Sequence, residues 1–174
     1  MENKKETVLF NREDIQKRVE ELGKEITEFY SGEEVIVIPI LRGGFVFAAD
    51  LIREIKVPVV VDFAITSSYE SREYSSGDVK ILSDLREDIK GKNVLIVDDI
   101  MDSGHTLNTL KNLFGKRDPK SLNVCVLLDK PSRRQVDIKP EFRGFEIDDL
   151  FIVGYGLNYG KHYRNIPYIF SWED

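Results

Sequence analysis

The sequence predicts an α/β fold in which helices flank a largely parallel central sheet. Three observations carry that reading. Short continuous apolar runs rich in β-branched residues recur at 35–39, 94–97 and 124–128, as expected of strands buried on both faces. Stretches with helical periodicity stand between them, marked off by turn residues. The chain has 174 residues, about one domain's worth, and a chain of that length buries roughly 70% of its unfolded surface.

Residues 11–31 read as an amphipathic helix, because Ile15, Val19, Leu22, Ile26 and Phe29 recur at spacings of four, three, four and three. Asn11 is the N-cap candidate, with Asp14 three residues on, and Gly32 is the stop. The strand at 35–39 follows, then a helix from Gly44 to about Ile55. A second strand covers 58–65, and the polar stretch 66–78 (TSSYESREYSSGD) is the longest loop candidate. A strand is expected at 79–82. The strand at 93–98 leads into a helix from about Gly104 to Gly115, with Leu107, Leu110, Leu113 and Phe114 inward, and 124–128 is the next buried strand. After Pro131 the segments become shorter and more aromatic, with 151–155 the strongest strand and 168–170 a last one. These segments and the N-terminal stretch are expected to form a small hood on a core of about 34–130, the whole of 1–174 being one domain.

Composition narrows the function classes. At 41% hydrophobic and 32% charged, with no long uncharged apolar stretch, the chain is expected to be globular, cytoplasmic and without a membrane partner. The first residues, MENKKETVLFNRED, carry no signal-peptide core. Cys125 is the single cysteine, and with two histidines it cannot build a Cys-rich zinc site, so any metal must be held mainly by oxygen. Lys plus Arg number 25 against 31 Asp plus Glu, a net charge of −6 that argues against a nucleic-acid coat but leaves a small anionic ligand open.

The most informative stretch is 94–107 (VLIVDDIMDSGHTL). A fully buried strand that runs into Asp98, Asp99 and Asp102 places carboxylates at the C-terminal edge of the sheet, where α/β proteins bind ligands. Adjacent residues of a regular strand point to opposite faces, so Asp98 and Asp99 can meet one ligand only where the pleat ends. Ser103, Gly104, His105 and Thr106 then open a helix and present backbone N–H groups and two hydroxyls to an anion. Carboxylates suit the vicinal hydroxyls of a ribose, and such a turn suits a phosphate on its 5-carbon. A plain helix cap, worth about 1 kcal/mol, does not call for three carboxylates in five positions.

This segment resembles the 5-phosphoribosyl 1-pyrophosphate binding motif of type I phosphoribosyltransferases, and its surroundings resemble the hypoxanthine-guanine branch in its short bacterial form. The likeness runs from about Asp14 to Trp172. It implies the type I phosphoribosyltransferase fold and transfer of phosphoribosyl to a 6-oxopurine base, with release of pyrophosphate and Mg²⁺ as cofactor. By the same likeness Asp98 and Asp99 bind the ribose hydroxyls, directly or through Mg²⁺, and Asp102 is the general acid/base at a purine ring nitrogen. Asp102, Ser103, Gly104, His105 and Thr106 would hold the 5-phosphate; many relatives have Lys in place of His105.

Elsewhere the likeness is residue by residue. Leu41, Arg42 and Gly43 match the pyrophosphate loop, in which the peptide before the Arg can be cis, and Arg164 matches an arginine that reaches pyrophosphate. Ser68 and Tyr69 match the start of a mobile lid. Lys130 matches the lysine that donates to the exocyclic oxygen of the base, Phe151 the aromatic that stacks on it, and Ile152 the residue whose carbonyl reads its edge. By residue type alone, Lys130 reads as a solvated end-of-strand lysine and Phe151 as a core aromatic. Asn158 departs from the pattern: relatives usually have Asp there as a ligand of a second Mg²⁺. A homodimer or homotetramer is expected.

Two other classes compete. A signalling receiver domain also has a strand ending in an acidic pair, but it carries the pair near the start of about 120 residues and leaves the Ser-Gly-His-Thr turn unexplained. A phosphoribosyltransferase-like RNA-binding regulator is disfavoured by the net charge of −6. Within the enzyme class, a preference for xanthine stays open.

Overall fold

The computed structural model describes residues 5–68 and 79–172. Its centre is a seven-stranded sheet in the order β5-β4-β2-β6-β7-β8, with β3 also paired to β2. The strands are β2 (Val35–Leu41), β3 (Val59–Val61), β4 (Ala64–Ser68), β5 (Val79–Ser83), β6 (Asn93–Met101), β7 (Ser121–Asp129) and β8 (Phe142–Glu146). All pairings are parallel except that of β4 with β5. A second sheet of three antiparallel strands joins β1 (Glu6–Phe10), β10 (Ile169–Trp172) and β9 (Ile152–Val153). Residues 142–146 fall in the stretch assigned to the hood, yet they extend the edge of the large sheet instead.

Alternation along the strands builds two cores. Val35, Val37, Leu95, Val97 and Cys125 pack with α1 (Arg12–Tyr30) and α2 (Phe45–Glu54) on one face. Ile36, Ile38, Val94, Ile96 and Val124 pack with α3 (His105–Gly115) on the other. Cys125 is fully buried, and burial pushes its thiol pKa up. Among the described residues no helix is long and apolar enough to cross a membrane.

Helix α1 begins where the sequence places it. Asn11 Oδ1 accepts from Asp14 N at 2.8 Å and Asp14 Oδ2 accepts from Asn11 N at 3.1 Å, a reciprocal capping box. It ends with Ser31 at φ 49° and Gly32 at φ 85°. Its last inward residue differs from expectation: Phe29 is 56% exposed, whereas Tyr30 is 4% exposed and its hydroxyl accepts from Asn123 Nδ2 of β7 at 3.2 Å. The strand expected at 58–65 is divided into β3 and β4. Buried Asp62 sits at the break and accepts backbone N–H groups from Phe63, Arg86 and Glu87 at 2.7–2.8 Å.

Candidate active site

Strand β6 carries the acidic pair to the sheet edge, and its alternation reverses there. Val94 and Ile96 belong to the α3 core and Leu95 and Val97 to the α1–α2 core, but beyond the pair Met101 lies in the α3 core and Ile100 against the other. The pleat slips across Asp98 and Asp99 although the strand runs on to Met101, so the two carboxyl groups are not held on opposite faces. Asp98 Oδ1 accepts from Asp99 N at 3.0 Å, and Asp99 Oδ1 from Ile100 N at 2.9 Å. Burial, then the neighbouring Asp99 charge, holds the Asp98 carboxyl well above the usual carboxylate range; burial raises Asp99 as well, against the opposing pull of its hydrogen bonds and of Arg164.

A raised carboxyl pKa has a definite sign for stability. Protonated Asp98 favours the folded chain, and that contribution is complete below the unfolded value of about 3.9 and lost as pH rises through the raised folded value. In EDTA buffer, Asp98→Asn is expected to melt at a higher temperature than the wild type at pH 7, the difference closing toward about pH 4. Calorimetric scans across that range check it, and a lower melting temperature at pH 7 would contradict the raised proton affinity.

The pyrophosphate-loop candidate sits on this pair. Gly43 leaves no room for a side chain, because a Cβ there would collide with the Asp99 carboxylate at Oδ2. Gly44 is tight but less so, 3.0 Å from the Val97 carbonyl and 3.2 Å from Asp98 Cα for a Cβ built there. The Leu41–Arg42 peptide is cis, and Arg42 is exposed beyond it. Gly156 packs on the Gly43 carbonyl, which would lie 2.6 Å from a Cβ built on Gly156. Arg164 donates to the Gly156 carbonyl, which brings its guanidinium toward the same loop. Burial lowers the Arg164 pKa, the Asp99 charge counters it, and the Arg42 charge adds to the lowering, so the three groups share one electrostatic neighbourhood.

The turn from Asp102 to Thr106 opens α3, with Gly104 as N-cap in the left-handed region at φ 87°. Its first-turn N–H groups have no intrahelical partner. Asp102 is partly exposed, and Arg133 Nε donates to its Oδ1 at 3.0 Å while Arg133 Nη1 reaches Asp149 at 3.1 Å. Arg134 lies beneath the turn, donating to the carbonyls of Met101 and Asp102 and pairing with buried Asp129. Sequence reasoning missed both arginines. Their only signal was a pair of adjacent cations three residues past Lys130 in an acidic chain.

At the base side, the structure reverses both readings made from residue type. Lys130 is 6% exposed, not solvated, and its Nζ donates to the Leu150 carbonyl at 2.5 Å. Phe151 is 59% exposed, not part of the core. Its ring stacks near Trp172, with centroids 6.1 Å apart and planes 13° apart, and meets Tyr159 edge-on at 5.9 Å. The strand expected at 151–155 shrinks to Ile152–Val153, because Gly154 and Tyr155 turn away at φ 103° and 47°. Ile152 is buried and pairs with Ser171.

Asn158 is exposed and donates through Nδ2 to the Gly160 carbonyl at 2.7 Å. Ser68 ends β4, while Tyr69 lies outside the described residues. Among the described residues no cluster of three or more His, Cys, Asp or Glu side chains could cage a metal. Two adjacent carboxylates still fit Mg²⁺, which usually takes one or two carboxylates and completes its shell with substrate oxygens and water. A cavity of about 760 Å³ lies elsewhere, between α1, α2 and residues 164–167, and of the expected site residues only Arg164 lines it.

Residues 8–160 match the family described as phosphoribosyl transferase domain. The chain is 54% identical over 164 residues to a hypoxanthine phosphoribosyltransferase of Salmonella typhimurium, covering 93% of this chain and 92% of the relative. It is 49% identical over 164 residues to a hypoxanthine-guanine phosphoribosyltransferase of Bacillus subtilis, covering 94% and 91%. Among solved structures, a hypoxanthine-guanine phosphoribosyltransferase from Bacillus anthracis superposes with a TM-score of 0.91 at 49% identity, covering 97% of each chain. A ternary substrates complex of a mutant hypoxanthine phosphoribosyltransferase from Trypanosoma cruzi gives 0.91 at 38% identity, covering 99% of this chain and 97% of the other.

Proposed function

The chain belongs to the phosphoribosyltransferase family, and we propose that it transfers the phosphoribosyl group of 5-phosphoribosyl 1-pyrophosphate to hypoxanthine or guanine, releasing pyrophosphate and forming the purine nucleotide. The observation that carries the reading is the seating of Gly43 against Asp99, which joins a pyrophosphate loop to the ribose carboxylates at one sheet edge. The test is a set of steady-state rates with hypoxanthine, guanine, xanthine, adenine and uracil against the same donor. Turnover confined to the 6-oxopurines supports the reading, and turnover of none of the five sinks it.

Each residue then has a task. The N–H groups and hydroxyls of 102–106 anchor the 5-phosphate, and Asp98 and Asp99 hold the ribose hydroxyls, so the donor is fixed at both ends of the sugar. Arg42 and Arg164 face the departing pyrophosphate and stabilise the charge it gains. Mg²⁺ bound with the donor would supply further charge neutralisation there, held on the protein side by Asp98 and Asp99. Asp102 exchanges a proton with the purine ring nitrogen. Lys130 has three N–H donors and only one is engaged with Leu150, so it can also donate to the exocyclic oxygen of the base. Phe151 offers its exposed face to the purine, and the Ile152 carbonyl reads its edge. Ser68, and Tyr69 beyond it, begin the lid that excludes water from the oxocarbenium-like ribose. The same reading makes the chain one domain, with the three-stranded sheet as a hood over the base.

Asn158 offers one neutral oxygen where a carboxylate would offer charge, so a second Mg²⁺ is held more weakly. Asn158→Asp is expected to lower the Mg²⁺ concentration for half-maximal nucleotide formation severalfold. Identical Mg²⁺ curves for the two proteins would refute that.

A further inference from the structure

In a trans peptide the carbonyl and the N–H point in opposite directions, so fixing one fixes the other. Arg134 Nη1 donates to the Met101 carbonyl at 3.3 Å, which Lys130 N also holds at 3.0 Å, and to the Asp102 carbonyl, and Gln135 N donates to the Ser103 carbonyl at 3.0 Å. Three consecutive peptides, all trans, are therefore held by their carbonyls on the side of residues 134 and 135. The N–H groups of Asp102, Ser103 and Gly104 face the other way, beside the unpartnered first turn of α3. Those of Ser103 and Gly104 donate to no acceptor among the described residues.

Arg134 is itself fixed. Its Nη2 pairs with the carboxylate of Asp129, which is 2% exposed, and Arg143 reaches the same carboxylate at 3.4 Å. Its stem packs under the turn, since a Cβ on Gly104 would stand 3.0 Å from Arg134 Cδ. A side-chain tie between His105 Nε2 and Gln135 Oε1 at 3.0 Å closes the same joint.

We infer that Arg134, held by Asp129, is a positioning residue for the 5-phosphate turn: it draws the Asp102 carbonyl and, with Lys130 N, the Met101 carbonyl away from the ligand, so that Asp102 and Ser103 add their N–H groups to those of the helix, beside that of Gly104, which Gln135 N aims. Without it, a carbonyl free to rotate would turn partial negative charge toward the phosphate. The inference rests on the assignment of 102–106 to the 5-phosphate. It goes beyond that assignment by naming what shapes the turn from behind.

Calorimetric titration of the full chain with inosine 5′-monophosphate, and separately with pyrophosphate in the same Mg²⁺ buffer, tests it. Arg134→Met is expected to weaken the nucleotide about tenfold or more while the pyrophosphate Kd moves less than about twofold. Arg134→Lys, which keeps the charge and point donors, is expected to recover part of the loss. If Arg134→Met does not fold, Asp129→Asn is read in the same ratio. A folded variant that loses both ligands equally, or neither, overturns the inference alone. Wild-type protein that binds neither ligand overturns the transferase reading and the inference with it.

Discussion

Replacing Asp102 with Asn is expected to lower kcat about 10²–10⁴-fold while the donor Kd stays within about threefold. Asn keeps a carbonyl oxygen where Asp102 Oδ1 now accepts from Arg133 Nε at 3.0 Å, so the contact that orients the side chain survives. On the proposed assignment, what is lost is the capacity to exchange a proton with the purine ring. On the same assignment the donor is held by the N–H groups and hydroxyls of 102–106 and by Asp98 and Asp99, and an Asn side chain at 102 leaves all of them in place. Steady-state rates with calorimetric donor titration separate the two effects. Near-normal turnover would remove Asp102 from the reaction, and an equal loss of donor affinity would make it a binding residue instead.

Phe47→Ala is expected to cost about 3–5 kcal/mol of a total stability of about 5–15 kcal/mol, and to lower Tm by roughly 6–20 °C. The ring is fully buried in α2, in the core shared with α1 and with Leu95 and Val97 of β6. Truncation leaves a hole between the helix that follows residues 41–43 and the strand that carries the acidic pair. Thermal unfolding followed by circular dichroism measures the loss, and a shift below about 3 °C would mean that the core closes over the gap.

Local signals brought out the elements that their own residues dictate. The N-cap at Asn11 with Asp14, the apolar run into Asp98 and the helix opening at 103–106 are satisfied by neighbours in sequence, so their pattern is visible in sequence. Where a distant partner decides, the pattern is silent. After Ile26 both Phe29 and Tyr30 lie at helical spacing, and the choice of Tyr30 follows from Asn123, far along the chain. Asp62 breaks a β-branched run because its acceptors are claimed by N–H groups at 86 and 87. The burial of Lys130 depends on the Leu150 carbonyl, and the exposure of Phe151 on the turn that Gly154 makes beyond it. The acidic pair and the turn at 102–106 were thus legible, whereas the arginines at 133 and 134 that support the turn were not. A cation after a strand end names no partner until the fold supplies one.

Trp172 is the chain's single indole, and the fold stacks it behind the exposed ring of Phe151 while Tyr159 and Tyr163 meet it edge-on at 5.0 and 5.7 Å. That arrangement makes the protein its own optical probe. On the proposed placement of the base, a purine laid on Phe151 would alter the surroundings of the lone indole one ring away, so its occupancy is expected to show in tryptophan fluorescence, without a label and without turnover.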